Sequence, residues 1–184
     1  MRDFADFPQN GYLRSTMALN DPLTTKRLMM QSPVAEDAFF IRDLISDPDV
    51  RHFLGGPVLD EHLDSWISRN LVCRHEAAIW VVKIKDTRSP IGLISITNHQ
   101  DCADKELSFQ FEVAAWGIGY ATEATLCVLD HAINSCGVSH LIAETQFANK
   151  SSCRLLERIG MKERCRVERF GAEQIIYSSF ESCK

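Results

Sequence analysis

The sequence WGIGYATEA, from Trp116 to Ala124, joins a predicted strand to a predicted helix. The first N–H groups of a helix have no partner within it, and the helix dipole adds partial positive charge there, so a helix start can bind an anion. Glycine has no side chain and lets a phosphate group approach the backbone closely. We interpret the turn at Gly117 and Gly119 as a pyrophosphate cradle. The alternative is an ordinary strand-to-helix turn, because short glycine patterns recur by chance.

The segments on either side of this turn differ in their periodicity. Residues 106–113 alternate between polar and apolar side chains, which predicts a strand with one buried face. The polar positions are Glu106, Ser108, Gln110 and Glu112, and the apolar positions are Leu107, Phe109, Phe111 and Val113. Residues 120–135 predict a long helix that ends at Gly137.

A second informative segment, NKSSCRLLERIGM, covers residues 149–161 and follows a buried strand predicted at residues 140–145. Asn149 or Ser151 would cap the N-terminus of the helix predicted here, and Gly160 would cap its C-terminus. Capping alone explains these residues, and for Ser151 it is the preferred explanation.

The first segment resembles motif A of the GNAT acyl-CoA N-acyltransferases, Gln/Arg-x-x-Gly-x-Gly/Ala. Trp116 stands at the first position of the motif, followed by Gly119 and Ala121 at the other two. The sequence from Trp116 to Ala124 is most similar to that of the ribosomal-protein N-terminal acetyltransferase branch, which tolerates Trp at the first position. Ile118 stands where such proteins commonly have Lys, so one charge near the phosphates is missing.

The second segment resembles the family's Asn-x-x-Ser-x-x-Leu-x-Glu-Lys-x-Gly-Phe sequence, with Arg158 and Met161 as substitutions. Two motifs in the right order are far more specific than either alone. The resemblance covers nearly the whole chain, from Thr25 to Phe180.

The order of predicted elements indicates an α/β protein with a mixed sheet. Strands are predicted at 25–31, 77–85, 91–97, 106–113, 140–145, 162–170 and 174–180. Two helices, at 35–45 and 59–72, are predicted between the first and second of these strands. The resemblance implies the GNAT fold: a mostly antiparallel sheet of six or seven strands, flanked by about four helices. In that fold the fourth and fifth strands separate, and acyl-CoA lies in the gap with its pantetheine arm paired to the fourth strand. The loop 52–57 is then expected to overhang the acceptor site.

The resemblance also implies which residues form the site. The residues expected to bind acetyl-CoA are Phe111, Glu112, Val113, Gly117, Ile118, Gly119, Tyr120, Ala121, Thr122 and Asn149. Many members place a Tyr seven residues after the Asn as an acid for the leaving sulfur, but here that residue is Leu156. In the resembled branch a Ser three residues after the Asn serves instead, which is Ser152. The alternative for Ser152 is a local hydrogen bond in the first turn of a helix.

Acyl transfer to an amine needs a neutral nucleophile, so a carboxylate that accepts a proton from the amine could serve as the base. Glu106 and Glu112 are the candidate bases because both lie on the polar side of the strand beside the expected thioester. Family resemblance favours Glu106 as the catalytic base. The alternative is that each carboxylate faces water or a cation.

Composition limits the remaining classes of protein. The chain has 184 residues and a net charge of −5, which argues against nucleic acid as the main partner. The charge suits a cationic amine substrate, but a solvated acidic surface is the preferred explanation for most of it. Seven scattered cysteines, without a Cys-x-x-Cys pair or a histidine cluster, predict neither a zinc site nor any other metal site. Scattered cysteines and the lack of a recognisable signal peptide or membrane span predict a cytoplasmic protein.

We therefore expect an N-terminal arm at residues 1–22, flexible or docked on a partner subunit, and a single acetyltransferase domain at residues 23–184. The expected activity is acetyl transfer from acetyl-CoA to a primary amine, either a protein N-terminus or a small molecule, in a ternary complex. The alternative is a non-catalytic sensor that binds acyl-CoA. Both a monomer and a homodimer are compatible with the sequence.

Overall fold

The computed structural model describes residues 18–67 and 77–180, without the side chain of Trp66. Within these residues eight strands form one mixed sheet in the order β1-β2-β3-β4-β5-β6-β8-β7. The strands are β1 (Leu23–Thr24), β2 (Leu28–Gln31), β3 (Ala78–Ile84), β4 (Pro90–Asn98), β5 (Lys105–Phe111), β6 (Leu141–Gln146), β7 (Lys162–Arg169) and β8 (Ala172–Ser178). The helices are α1 (Ala38–Ser46), α2 (Pro48–Arg51), α3 (Asp60–Ile67), α4 (Tyr120–Asp130) and α5 (Lys150–Arg158).

The sheet has one strand more than the six or seven expected, because the two-residue strand β1 precedes the predicted first strand and pairs with its second half, β2. Within residues 25–31 the chain turns: the Leu28 N–H donates to the Thr25 hydroxyl at 3.0 Å, and the Thr25 N–H donates to the Leu28 carbonyl at 2.9 Å. This turn separates β1 from β2, which pair antiparallel. The described residues contain five helices rather than about four, because α2 forms a separate short helix capped by the Asp47 side chain.

Helices cover both faces of the sheet. On one face, α4 and α5 pack over the buried apolar side chains of β5, including Leu107 and Phe111. On the other face, α1 packs over Ile79, Val81 and Leu93 of β3 and β4. The alternation predicted for β5 is thus observed: its apolar side chains face α4 and α5, and its polar side chains face the opposite layer.

The central strands β5 and β6 separate soon after they meet. They run parallel and pair at only two described positions, Lys105 with Leu141 and Glu106 with Ile142. Beyond Glu106 the two strands diverge, and β6 continues in antiparallel pairing with β8. These are the strands predicted as the fourth and fifth, so the expected point of separation is confirmed.

Other element boundaries moved by a few residues. β5 ends at Phe111, because a 3₁₀ turn at Val113–Ala115 follows it, and Glu112 and Val113 are therefore not part of the strand. Helix α4 continues through a π-helical turn at His131–Ser135, within the predicted span.

Residues 1–17 of the predicted N-terminal arm lie outside the described residues, so the arm stays a prediction. Just after them, the Ala18 carbonyl lies 3.2 Å from Nε2 of His131, and the Asp21 carbonyl accepts a hydrogen bond from Nε1 of Trp80 at 2.9 Å. Of the helix predicted at 59–72, residues 60–67 form α3, Leu59 precedes it, and residues 68–72 lie outside the described residues.

Candidate active site

A cleft of about 710 Å³ opens where β5 and β6 separate. It passes through the sheet, since its lining includes residues of both layers. The glycine turn and the start of α5 contribute Gly117, Gly119, Asn149 and Ser152, and the opposite layer contributes Arg51, Phe53, Glu106 and Gln110. A ligand bound along β5 would therefore be reached by a second molecule from the opposite face.

The glycine turn presents the start of α4 to this cleft. Gly119 precedes the helix with φ +84° and Gly117 has φ +73°, both in the left-handed region that favours glycine. The first bond of the helix runs from the Glu123 N–H to the Gly119 carbonyl at 3.1 Å. Among the described residues no side chain hydrogen bonds at the Gly119 cap, so the N–H groups before Glu123 are available to an anion.

The start of α5 forms the adjacent wall. Oδ1 of Asn149 accepts a hydrogen bond from the Ser152 N–H at 3.1 Å, so Asn149 rather than Ser151 caps the helix. The cap occupies the amide oxygen of Asn149 and the backbone of Ser152, while the Ser152 hydroxyl remains on the lining of the cleft. Leu156, at the position where many family members have Tyr, is buried yet also contributes to the lining.

Two arginines missed by the sequence analysis also line the cleft. Arg154 and Arg158 are exposed and stand one helical turn apart on α5. Their spacing of four residues was the available signal, because it places both guanidinium groups on one face of a helix. They add positive charge to the side of the cleft that holds the glycine turn.

The polar face of β5 lines the other side of the cleft. Glu106 lies where β5 and β6 still pair, and the Ser108 hydroxyl donates to its carboxylate at 3.5 Å. Asp49 of α2 and Glu144 of β6 also line the cleft. Neither residue belongs to a motif that could be recognised in the sequence.

Glu144 is already paired within the protein. Nε of Arg169 donates to Oε1 of Glu144 at 2.6 Å, and Nη2 of Arg169 contacts Oε2. His99 lies against the same carboxylate at 3.4 Å. With only a tenth of its side chain exposed, Glu144 adds little negative charge to the cleft beyond what Arg169 neutralises.

Arg51 holds the loop that overhangs the polar face of β5. Its guanidinium donates to the carbonyls of Gly56 at 3.0 Å and Leu54 at 2.6 Å, and to Oε1 of Gln110 at 3.4 Å. Burial lowers the pKa of Arg51, which still carries its charge at neutral pH. The 59-residue separation between Arg51 and Gln110 left no local signal for this contact.

Trp116 lies at the mouth of the cleft. Its Nε1 donates to the Phe111 carbonyl at 2.8 Å, and its ring is half exposed. The indole therefore ties the glycine turn to the end of β5 and presents an aromatic surface to a bound ligand.

The structure brings eight of the twelve predicted site residues to the cleft. These are Glu106, Phe111, Gly117, Gly119, Ala121, Thr122, Asn149 and Ser152. The side chains of the other four lie off the described lining: Glu112 and Val113 follow the end of β5, Ile118 is half exposed, and Tyr120 packs partly against the core. The roles of all twelve stay predictions.

Comparison with known proteins identifies the chain. Residues 27–162 match the acetyltransferase (GNAT) domain. The chain belongs to the GNAT acetyltransferase family. Membership in this family supports acyl transfer from acyl-CoA to an amine. A relative from Bacillus subtilis (strain 168), the uncharacterized protein YkkB, is 30% identical over 124 residues, which are 64% of this chain and 71% of the relative.

Solved structures have the same GNAT fold. Spermidine N-acetyltransferase from Vibrio cholerae, in complex with CoA and spermine, matches with a TM-score of 0.70 at 16% identity, over 84% of this chain and 94% of that one. Ribosomal-protein-S5-alanine acetyltransferase from Vibrio fischeri matches with a TM-score of 0.71 at 16% identity, over 86% of this chain and 95% of that one. At this identity both matches support the fold alone.

Two features are absent from the described residues. None of their helices is both long and apolar enough to cross a membrane. In the same part of the chain, no three His, Cys, Asp or Glu side chains are grouped so that they could hold a metal ion.

Proposed function

We propose that this GNAT protein transfers an acetyl group from acetyl-CoA directly to a primary amine in a ternary complex. The observation that carries the proposal is the uncapped start of α4, whose glycine turn opens on the gap between β5 and β6. A diphosphate at Gly119 would accept hydrogen bonds from backbone N–H groups and gain from the helix dipole. Arg154 and Arg158 add positive charge on the same side of the cleft.

The donor and the acceptor would approach from opposite faces of the sheet. With the diphosphate at the glycine turn, the pantetheine arm follows β5 and brings the thioester to the point of strand separation. The acceptor then enters beneath the loop held by Arg51 and reaches the thioester beside Glu106. The carboxylates of Glu106 and Asp49 on this side favour a cationic amine.

A cationic amine loses one proton before it attacks and a second as the amide forms; the sulfur gains one proton and the other passes to solvent. The amine nitrogen attacks the thioester carbonyl carbon, the C–S bond breaks, and the products are the amide and CoA thiol. We assign Glu106 to accept the proton that the ammonium group loses before attack, and Ser152 to hydrogen bond or protonate the leaving thiolate. Asn149 would help to place the pantetheine arm in addition to capping α5.

The acceptor class determines how much a base contributes. A lysine-like amine with a pKa of about 10.4 costs about 4.6 kcal/mol to deprotonate at pH 7. A peptide α-amine with a pKa near 8 costs only about 1.4 kcal/mol. Both a small polyamine-like molecule and a protein N-terminus fit a primary amine acceptor, and they differ in their demand on Glu106.

The binding claim is tested by calorimetry with acetyl-CoA on Gly119→Asp. The new side chain would occupy a left-handed backbone position and lie beside Nη2 of Arg27, so it would disturb the glycine turn, and we expect binding to weaken by about 1–3 kcal/mol. Gly171→Asp is the matched control, since Gly171 also has a positive φ and lies in the β7–β8 turn. Unchanged affinity in folded Gly119→Asp would remove the proposed cradle.

The catalytic claim is tested by CoA-thiol release from acetyl-CoA with a panel of amines, including peptides with different first residues. We expect release that depends on the acceptor. Tight binding of acetyl-CoA without release for any acceptor in the panel would favour the non-catalytic sensor. The buried Leu156, at the position of the usual acid, is the observation that keeps the sensor as a second candidate.

A further inference from the structure

The hairpin formed by β1 and β2 contacts the glycine turn through Arg27. Arg27, in that hairpin, donates from its backbone N–H to Oε1 of Glu123 at 2.9 Å and from Nε to Oε2 at 2.7 Å. The Thr25 hydroxyl donates to the same carboxylate. Glu123 lies in the first turn of α4, so these hydrogen bonds attach the hairpin to the helix beside its available N–H groups.

Arg27 also contacts both neighbours of Gly119. Its Nη1 donates to the Ile118 carbonyl at 3.2 Å, and its guanidinium lies 4.4 Å from the centroid of the Tyr120 ring. A Cβ built on Gly119 would lie 3.6 Å from Nη2 of Arg27. One side chain thus supports the turn from behind, and it is not among the residues that line the cleft.

The charge of Glu123 gives this contact an electrostatic consequence. A carboxylate in the first turn stabilises a helix through the dipole, but it would repel an anion bound at the same helix end. Arg27 supplies the compensating positive charge at hydrogen-bonding distance. It does so in a chain where Ile118 stands in the turn and brings no charge of its own.

From these contacts we propose that Arg27 is a positioning residue for the diphosphate of the acyl-CoA donor. It fixes the backbone of the glycine turn through Ile118 and Tyr120, and it neutralises Glu123 so that the start of α4 accepts a second anion. This inference rests on the proposed function, because it requires the diphosphate to bind at Gly119.

The test compares two acetyl donors on Arg27→Gln. Acetyl-CoA carries the diphosphate, whereas S-acetylpantetheine carries the thioester and both amides but no diphosphate. We expect the KM for acetyl-CoA to rise roughly ten-fold or more, on the scale of a lost charged hydrogen bond. With S-acetylpantetheine, kcat/KM should stay within about two-fold of the unmodified protein, because Arg27 then has no ligand group to serve.

Lys26→Gln is the matched control, because Lys26 is an exposed cation in the same hairpin and its loss changes the net charge equally. It should leave the KM for acetyl-CoA unchanged. Equal losses with both donors would give Arg27 a purely structural role and overturn the proposal, as would an unchanged KM for acetyl-CoA. A rise as large in Lys26→Gln would replace it with a general charge effect.

A second variant keeps the test informative if Arg27→Gln does not fold. Arg27→Lys keeps the charge but cannot hold Glu123 and the Ile118 carbonyl together, so we expect a smaller rise in KM with acetyl-CoA alone. An equal loss with both donors in this variant would also overturn the proposal. Failure of the proposed function is distinguishable, because the unmodified protein would then either bind no acetyl-CoA or, as a sensor, bind it and release no CoA thiol with any acceptor.

Discussion

At the scale of single residues, Ser152 has one group left for chemistry. Its backbone N–H is bound by Asn149, and its hydroxyl lies on the cleft. If the hydroxyl serves the leaving thiolate, Ser152→Ala should lower kcat by roughly ten- to a thousand-fold, with little change in the KM for acetyl-CoA. Steady-state kinetics with chemistry rate-limiting would measure this. The control is Ser151→Ala in the same helical turn, and equal kcat values for the two variants would leave Ser152 as a structural residue.

Glu106 is tested through the type of amine rather than through activity alone. Glu106→Gln keeps size and hydrogen bonding but removes the basic oxygen, so kcat/KM should fall most where deprotonation is costly. For lysine-like or polyamine acceptors we expect a large loss at pH 7 that recovers toward about pH 9–10. For an α-amine the loss should be smaller and should recover nearer about pH 8.

The rival base, Glu112, gives the contrasting variant. Its side chain lies beyond the end of β5 and off the described lining of the cleft, so Glu112→Gln should change this pH dependence little. An equal, pH-independent loss for both amine types in Glu106→Gln would mean that Glu106 places the acceptor by its charge. Glu112, acting through a water molecule, would then be the next base to examine.

At the scale of elements, the junction between the first hairpin and α4 predicts a dependence of stability on pH. Burial raises the pKa of Glu123, but hydrogen bonds from Thr25 and Arg27 outweigh it and leave the pKa of Glu123 below its ordinary value. The stabilisation is therefore complete above the unfolded-state pKa of about 4.3, and it is lost as the pH falls through the lower folded-state pKa.

Denaturant unfolding of Glu123→Gln measures this contribution. At pH 7 the variant should be less stable by about 1.5–3 kcal/mol, the scale of hydrogen bonds to a charged group. The difference from the unmodified protein should shrink below about pH 4, where Glu123 becomes protonated. Glu168→Gln, an exposed carboxylate on β7, should change stability by less than about 0.5 kcal/mol at pH 7. A constant difference from pH 7 to pH 3 would contradict the assignment of the effect to the charge of Glu123.

At the scale of the whole molecule, what the sequence predicted was local. The strand predicted at residues 106–113 and the glycine turn each depend on neighbours along the chain. The turn and the separation of β5 and β6 were placed correctly, whereas the strand ends two residues earlier, at Phe111. The contacts that complete the cleft connect distant segments: Arg27 meets Glu123 across 96 residues, and Arg51 meets Gln110 across 59. No periodicity or capping rule links such positions, so neither arginine could be assigned a role from the sequence.

The same limit explains the extra strand. Residues 25–31 contain the apolar run Leu28, Met29 and Met30 and predict one short extended segment. The turn within the run depends on the Thr25 hydroxyl and on the Arg27 carbonyl, which accepts from the Lys85 N–H at 2.9 Å. The bond between the Leu28 N–H and the Thr25 hydroxyl is local, but no strong sequence signal marks it. The bond from Lys85 to the Arg27 carbonyl forms only once β3 lies beside this turn.

The divergence of β5 from β6 leaves β5 bonded to a neighbouring strand along only one side beyond Glu106. In such a strand, alternate amides point toward the open side, so within residues 107–111 some hydrogens should be readily replaced by deuterium and others should be retained. Acetyl-CoA bound along this side would slow the replacement of the first group only. Deuterium uptake resolved to single amides would therefore record the register in which the donor adds itself to the sheet, and uniform uptake with and without acetyl-CoA would place the donor elsewhere.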